Sequence, residues 1–228
     1  FFIKITFDLT RIYSKKLKTT KELEHSKYEN VMIENKFLQS QLNPHFLFNT
    51  LNNLYGLSIK KDDLTPQLIL KLSEIMRYTL YETNVERIHL DKELDFIDNY
   101  FEMEKIRYTK DFSITKTIKK NHSVNTTIAP LISFVFIENA FKFGLKSSNP
   151  FLHLEIETDI NKFKMQLQND FSNKITNSQL DKNNGIGIEN VVKRLNLIYP
   201  NSYQLDIKVE NNTYIVLLEI ELLKNNGK

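Results

Sequence analysis

The segment QLNPHFLFNTLNNL, residues 41–54, places a proline inside a helical pattern and a histidine directly after it. The ring of Pro44 clashes with a preceding helical turn and disfavours helical angles at Asn43, so one helix cannot run unbroken through this point. Asn43 is a good N-cap and proline is favourable at the first helical position. We therefore predict that a new helix begins here, with His45 in its first turn.

Helical patterns lie on both sides of this point. From about residue 12 to 42 no proline or glycine occurs, and a further helix is predicted from Thr65 to about Glu82, so that the two form an antiparallel hairpin. A third helix is predicted from Asp91 to Tyr108. The first pattern has the narrow apolar seam of a helix that pairs with another helix, formed by Leu17, Leu23, Tyr28, Val31, Leu38 and Leu42.

The second half of the chain changes to the alternating pattern of β-strands. Hairpin turns are predicted at 159–162 and 211–212, and helices over 129–142 and 188–199. The fold class is therefore α+β, with a helical N-terminal half followed by an α/β sandwich. Five segments have the strand pattern: DFSITKTI, FLHLEIETDI, KFKMQLQN, YQLDIKVE and TYIVLLEIEL.

Composition excludes several function classes. The 228 residues include no cysteine, which rules out disulfides, thiol catalysis and zinc-thiolate sites. The 31 basic and 28 acidic residues give a net charge of +3, too balanced for a typical nucleic-acid-binding protein. We expect no nucleic-acid partner.

The start of the chain has the pattern of a juxtamembrane segment. It begins with phenylalanine, so we expect a fragment, and its first seven residues, FFIKITF, are too few to span a bilayer. The alternative is a solvated basic helix face. Basic residues without an acidic one follow, as on the cytoplasmic side of a membrane helix: Arg11, Lys15, Lys16, Lys18 and Lys21.

His45 is the first candidate catalytic residue. Neutral imidazole is a nucleophile near pH 7, so an exposed histidine aimed at a γ-phosphate can carry a phosphoryl group. Asn49 lies one helical turn later, where its amide can orient the ring or the phosphoryl oxygens. The alternative is a structural histidine in a helical bundle.

The segment SFVFIENAFKFG places three polar side chains near the end of an apolar helix. Asn139 can bind Mg²⁺ through its carbonyl oxygen, Glu138 can accept or relay a proton, and Lys142 can contact phosphate. The alternative is a helix end whose last turn is exposed to solvent.

A glycine-containing segment, NNGIGIENVVKRLNLIYP, is a candidate phosphate-binding element. Gly185 and Gly187 let the backbone approach a ligand, and a helix predicted to start near Ile188 would direct free N–H groups at a phosphate. Asn190 and Arg194 are further candidates for phosphate contacts. The alternatives are that the two glycines only form a tight turn and that Arg194 is an ordinary surface residue of the helix.

Taken in order, five segments closely resemble the LytS-like class of bacterial sensor histidine kinases, and the match runs from about residue 38 to 222. The resemblance implies a hairpin for dimerisation and phosphotransfer, with His45 as the phosphorylated residue, followed by a GHKL-type (Bergerat) ATP-binding sandwich. The expected domains are a signalling helix over 1–37, this hairpin over 38–88 and the ATP-binding domain over 89–228. The five segments are QLNPHFLFNTLN, LSEIMRYTL, YFEMEKIRY, IENAFKFG and GIGIENVVKRLNLIYP.

The resemblance also implies the reaction. The expected protein is an ATP-dependent histidine kinase that autophosphorylates on His45 and passes the phosphoryl group to an aspartate of a response-regulator receiver domain. It would act as a homodimer and use Mg²⁺ to neutralise the triphosphate. In this class a membrane sensor usually lies upstream, so the chain is expected to be the cytoplasmic portion of a bacterial inner-membrane protein.

Three positions depart from the family's pattern. The family's ENAxKHG box has Phe143 in place of histidine, and Phe46 stands where many other histidine kinases keep an acidic residue. The family's DxGxG aspartate, which bonds the adenine amino group, is replaced by Asn169, with Asp170 one residue away as a substitute. An asparagine oxygen still accepts such a bond but lacks the charge that strengthens it.

These departures keep a second interpretation open, a catalytically impaired dimeric scaffold with weak or no ATP binding. A third, a nucleotide-driven conformational ATPase, leaves the NPHFLFN segment without a purpose.

Overall fold

The computed structural model describes residues 11, 13, 15–21, 44–108, 112–171 and 177–222, with the backbone alone described at 44–45 and 177–186. Residues 15–21 are helical, whereas the predicted seam positions from Leu23 to Leu42 lie outside the described residues. Within the described ranges the α-helices are α1 (Pro44–Ile59), α2 (Thr65–Arg77), α3 (Leu90–Lys105), α4 (Phe134–Phe143) and α5 (Asn177–Ile198).

Two sheets accompany these helices. A five-stranded sheet has the order β2-β4-β5-β7-β6, in which β2 is parallel to β4 and the other neighbours are antiparallel. A small antiparallel sheet pairs β1 with β3. The strands are β1 (Ile88–His89), β2 (Ser113–Lys120), β3 (Thr127–Ile128), β4 (Phe151–Asp159), β5 (Lys162–Asp170), β6 (Tyr203–Glu210) and β7 (Thr213–Glu221).

The main core lies between one face of the large sheet and the helices. Alternation along the strands turns apolar side chains such as Leu154, Met165 and Leu218 inward, where each is buried. Helices α3, α4 and α5 cover this face with buried residues such as Ile97 and Leu195. The α+β class, with a helical part that precedes an α/β sandwich, is confirmed.

The helical part is a hairpin attached to the sandwich. A short turn over residues 60–64 joins α1 to α2, which continues as a π-helical turn, Tyr78–Glu82, and packs against α3. The predicted helix from Thr65 to about Glu82 is therefore confirmed in extent. No helix in the described ranges is both long enough and apolar enough to cross a bilayer.

The start of α4 differs from the prediction. The expected helix began at residue 129, but α4 begins at Phe134. Leu131 has a φ of 58°, outside the helical region. Hydrogen bonds hold the segment in this form, because the Ala129 N–H donates to the Tyr199 hydroxyl at 2.7 Å and the Leu131 N–H donates to Glu93 Oε2 at 2.9 Å. The buried side chain of Glu93 in α3 and that of Tyr199, directly after α5, therefore set where α4 starts.

Candidate functional site

A cavity of about 300 Å³ lies where the first turn of α1 meets α3 and α4. Because its lining includes an arginine and two lysines, it suits a ligand with negatively charged oxygens. The charged lining residues come from α3, α4 and the turns after them: Glu104, Arg107, Glu138, Lys142 and Lys146.

The helix that contains His45 reaches this cavity through its third residue. Pro44 and His45 are helical, as predicted, and the predicted N-cap Asn43 lies outside the described residues. Phe46 lines the cavity and is 5% exposed, with its ring centroid 5.0 Å from that of Tyr100. The backbone of His45 is thus one residue from the cavity wall. Asn49 lies one turn later in α1 and is half-buried.

Helix α4 brings the predicted polar residues to the same place. Glu138 and Lys142 line the cavity, and Asn139 is half-buried beside Glu138. Burial raises the pKa of Glu138 above its ordinary value, while Lys142 lowers it and Glu104 raises it further. A carboxyl with a raised pKa is a better proton acceptor near neutral pH.

Phe143, at the position of the family's histidine, supports two cations. The Nζ of Lys142 lies 5.0 Å from the centre of its ring, and the Nζ of Lys146 lies 5.8 Å from it. An aromatic face attracts ammonium groups at such distances. The substitution removes an imidazole but keeps both lysines close together at the cavity edge.

Asn169, the next-to-last residue of β5, has a hydrogen-bond acceptor that is not used. Its Nδ2 donates to the backbone carbonyl of Asp170 at 2.8 Å, whereas its Oδ1 is buried and has no partner in the described part of the chain. The side chain fits only because residue 144 is glycine, since a Cβ there would lie 2.5 Å from Asn169 Nδ2. Gly144 itself lines the cavity. A buried acceptor without a partner fits an adenine amino group.

Asp170 has a structural role, which corrects its assignment as an adenine ligand. Its two carboxylate oxygens accept backbone N–H bonds from four residues, and these bonds lower its pKa although burial opposes the shift. Two oxygens offer about four acceptor positions, so none is left for a nucleotide. The donors, at 2.8 to 3.1 Å, are Leu145, Lys146, Ser147 and Phe151.

The glycine-containing segment is helical, which corrects the predicted helix start near Ile188. Helix α5, described over Asn177–Ile198, includes Gly185, Gly187 and Asn190. No proline interrupts this stretch and an interior glycine only weakens a helix, so the helix continues through both glycines. The N–H groups expected to face a phosphate are therefore inside the helix. Contacts of Gly185, Gly187 and Asn190 with phosphate stay predictions for a nucleotide-bound conformation.

Arg194 is fully buried, which corrects its assignment as a phosphate contact or a surface residue. Its charge acts on a buried pair, Glu93 and Tyr78, whose hydroxyl donates to Glu93 Oε2. Burial raises the pKa of Glu93 to about 7, and the hydrogen bonds from Tyr78 and Leu131 and the Arg194 charge oppose the shift. Arg194 thus belongs to an internal polar cluster between α5, α3 and the end of α2.

Sequence reasoning missed the residues that α3 and the turn after it place in the cavity. Tyr100, Glu104, Arg107 and Tyr108 all line it. All four lie in YFEMEKIRY, a segment that had served to establish the resemblance without any role being assigned to its side chains. That segment was the signal that could have identified them.

Comparisons with known proteins agree with these motifs. Residues 33–112 match the family model described as histidine kinase. Sensor protein LytS of Streptococcus mutans is 28% identical over 237 residues, which cover 97% of this chain and 40% of that protein. Sensor histidine kinase YpdA of Escherichia coli is 32% identical over 138 residues, 60% of this chain and 24% of that protein. The chain spans less than half the length of these relatives.

A histidine kinase, ThkA, solved in complex with the response regulator TrrA, has a TM-score of 0.41 and 16% identity. The alignment covers 92% of this chain and 63% of that one.

Proposed function

Because this chain belongs to the LytS-like family of sensor histidine kinases, we propose that it transfers the γ-phosphoryl group of ATP to His45 and then to an aspartate of a response-regulator receiver domain. One observation carries the proposal. Phe46, the residue after His45, lines the same cavity as Glu138 and Lys142. The helix that bears the phosphoacceptor thus starts beside the residues assigned to the triphosphate.

The nucleotide would lie between β5 and α4. The unpartnered Oδ1 of Asn169 accepts the adenine amino group, and Lys142 contacts the phosphates. The oxygen ligand of Asn139 fits Mg²⁺, which takes one or two protein ligands and completes its shell with phosphate oxygens and water. When bound, the ion neutralises triphosphate charge during in-line transfer.

The transfer step requires a nucleophile and a proton acceptor. The unprotonated ring nitrogen of His45 forms a bond to the γ-phosphorus while the bond from that phosphorus to the β–γ bridging oxygen breaks, and ADP leaves. The proton on the other ring nitrogen passes to Glu138, whose raised pKa suits it for acceptance. Asn49, one turn from His45, orients the imidazole.

We propose that the protein acts as a homodimer. Each chain is proposed to have three domains, over residues 1–37, 38–88 and 89–228. Helices α1 and α2 carry a row of large apolar side chains that are exposed in the single chain. On α1 their spacing places them on one face, as in a helix that pairs with a second copy. The row comprises Phe48, Leu51, Tyr55, Ile59, Ile69 and Met76.

The dimer is tested by placing a charge in this row. Tyr55→Glu should give a monomer by light scattering at a concentration where the unmodified chain is a dimer, because the carboxylate would have to be buried unpaired. An unmodified chain that is monomeric at micromolar concentration contradicts the dimer.

The location and partners follow from the resemblance. We propose the cytoplasmic portion of a bacterial inner-membrane protein, with the exposed basic residues Lys15, Lys16 and Lys21 near the membrane surface. The partner is the receiver domain of a response regulator.

The central experiment is labelling with γ-labelled ATP and Mg²⁺. A phosphohistidine is acid-labile and base-stable, because protonation of the ring makes imidazole a good leaving group. His45→Gln should remove all acid-labile label and leave nucleotide binding unchanged, while the control His89→Gln, at an exposed strand position, should label normally. Acid-labile label that persists in His45→Gln refutes the assignment of His45 as the phosphoacceptor. A wild-type chain that binds ATP and never acquires label favours the scaffold.

A further inference from the structure

The part of the cavity wall formed by the end of α3 carries a charged pair that the mechanism above does not use. Arg107 Nη1 donates to Glu104 Oε2 at 2.7 Å. The two side chains differ in exposure, with Glu104 at 4% and Arg107 at 29%. The carboxylate is therefore enclosed by protein, and the guanidinium extends from it towards the open part of the cavity.

The guanidinium of Arg107 has more N–H donors than its bond to Glu104 uses. Arginine presents five N–H donors in a planar fork that matches phosphate oxygens. In the part of the chain that the structure describes, the bond to Glu104 uses one nitrogen of that fork. Lys142 and Lys146 line the same cavity, so three cations face the space beside Phe46.

Glu104 fixes where this fork lies. A buried carboxylate needs a charged partner, and its short bond to Arg107 restricts a side chain that otherwise has many rotamers. Tyr100, one turn earlier on α3, holds the ring of Phe46. One helix end thus positions both the guanidinium and the start of the helix that contains His45.

We propose that Arg107 contacts the γ-phosphoryl group of the bound nucleotide, and that Glu104 is a positioning residue that holds it there. The inference rests on the proposed kinase function and adds a phosphate-binding residue from outside the predicted ATP-binding segments. A guanidinium that donates to the equatorial oxygens stabilises the charge that they carry during transfer.

The test compares two nucleotides that differ by the γ-phosphate. Calorimetry on the full chain gives the Kd for Mg-ADP and the Kd for Mg-AMP-PNP. The quantity compared is the Kd for Mg-ADP divided by the Kd for Mg-AMP-PNP. We expect the ratio in Arg107→Met to fall by about tenfold or more, because a charge-assisted bond is lost, with the Kd for Mg-ADP within about twofold of wild type. Lys105→Met, which removes an exposed cation from the last turn of α3, is the matched control and should keep the wild-type ratio.

Removal of Arg107 alone takes a charge-assisted bond from the buried Glu104 carboxylate, which can destabilise the fold. The double variant Glu104→Gln with Arg107→Met contains neither charge, and circular dichroism confirms that it is folded. It should show the same fall in the ratio, whereas Arg107→Lys should show a partial fall because one ammonium replaces the fork.

The outcomes separate the two proposals. If wild type binds both nucleotides and the folded double variant keeps the wild-type ratio, Arg107 does not contact the γ-phosphoryl group and the kinase proposal is unaffected. If wild type binds neither nucleotide, the proposed kinase function and the proposed role of Arg107 are both refuted.

Discussion

Gly144→Ala tests the packing between the end of α4 and the end of β5. The φ of Gly144 is −74° and its ψ is −168°, angles that alanine adopts without strain, so any effect comes from the added methyl group. That methyl carbon would lie 2.5 Å from Asn169 Nδ2 and 2.6 Å from the backbone oxygen of Ala140. Ordinary contacts between such atoms are about 3.5 Å or longer.

Neither neighbour can move freely. The Ala140 oxygen belongs to α4 and accepts the Gly144 N–H at 3.0 Å, and Asn169 is buried with its Nδ2 bonded to Asp170. Overpacking of this kind costs about 1–3 kcal/mol. Displacement of Asn169 also moves the Oδ1 proposed to accept the adenine amino group, which should weaken Mg-ADP binding by roughly fivefold, the effect of about one neutral hydrogen bond.

Urea unfolding and calorimetry measure these two effects separately. Gly56→Ala is the matched control, since nothing lies within 4 Å of a Cβ at that position in α1. It should raise the free energy of unfolding by about 0.5–1 kcal/mol, the usual helical preference for alanine over glycine. A Gly144→Ala chain as stable as wild type would refute the packing argument, and one that is destabilised but binds Mg-ADP normally would refute the placement of adenine at Asn169.

Three further predictions follow from particular contacts. Because the folded chain raises the pKa of Glu93 to about 7 from 4.5, the protonated carboxyl stabilises the fold at low pH, and this contribution is lost as pH rises through 7. Relative to Glu93→Gln, wild type should lose about 3 kcal/mol of unfolding free energy between pH 4 and pH 8, and parallel pH profiles would contradict this. Gly187→Ala should stabilise the nucleotide-free chain by about 0.5–1 kcal/mol because Gly187 is helical, yet weaken Mg-ATP binding if that helix opens around the phosphates; unchanged affinity would show that α5 keeps its form. Asn139→Ala should abolish the Mg²⁺ dependence of ATP binding and leave the urea midpoint near wild type, and calorimetry with and without Mg²⁺ decides.

The strands and their turns could be predicted from the sequence because local chemistry determines them. The five alternating segments became five strands, and residues Asn211 and Asn212 both have positive φ, as a two-residue hairpin requires. The order of the strands depends on contacts far apart in sequence. The parallel pairing of Ser113 with Phe151 and the small sheet that joins β1 to β3 have no local signal.

The positions of candidate site residues could be predicted where local spacing along a helix determines them. They could not be predicted where segments distant in sequence determine the surroundings of the side chain. Glu138 and Lys142 line one cavity because they lie one helical turn apart on α4, a placement that their spacing gives directly. The surroundings of Asp170 could not be predicted, because its partners are backbone N–H groups 19 to 25 residues earlier in the chain. Arg194 lies on the same face of α5 as the buried Val191, Leu195 and Ile198. Its burial was not predicted because a charged side chain is rarely found at such a position without partners from elsewhere in the fold.

The burial of Phe46 attaches the first turn of α1 to the sandwich. Its ring is held against Tyr100 within the core of the sandwich, so any displacement of the segment before it that lifts α1 away must expose the ring to water. Full exposure of a phenylalanine costs about 1.5–3 kcal/mol, which corresponds to roughly a tenfold to hundredfold change in the ratio of docked to undocked chains. A change that supplies less free energy than this does not offset the loss of that burial. The buried area of Phe46 thus determines part of the free energy that separates the docked from the undocked position of α1.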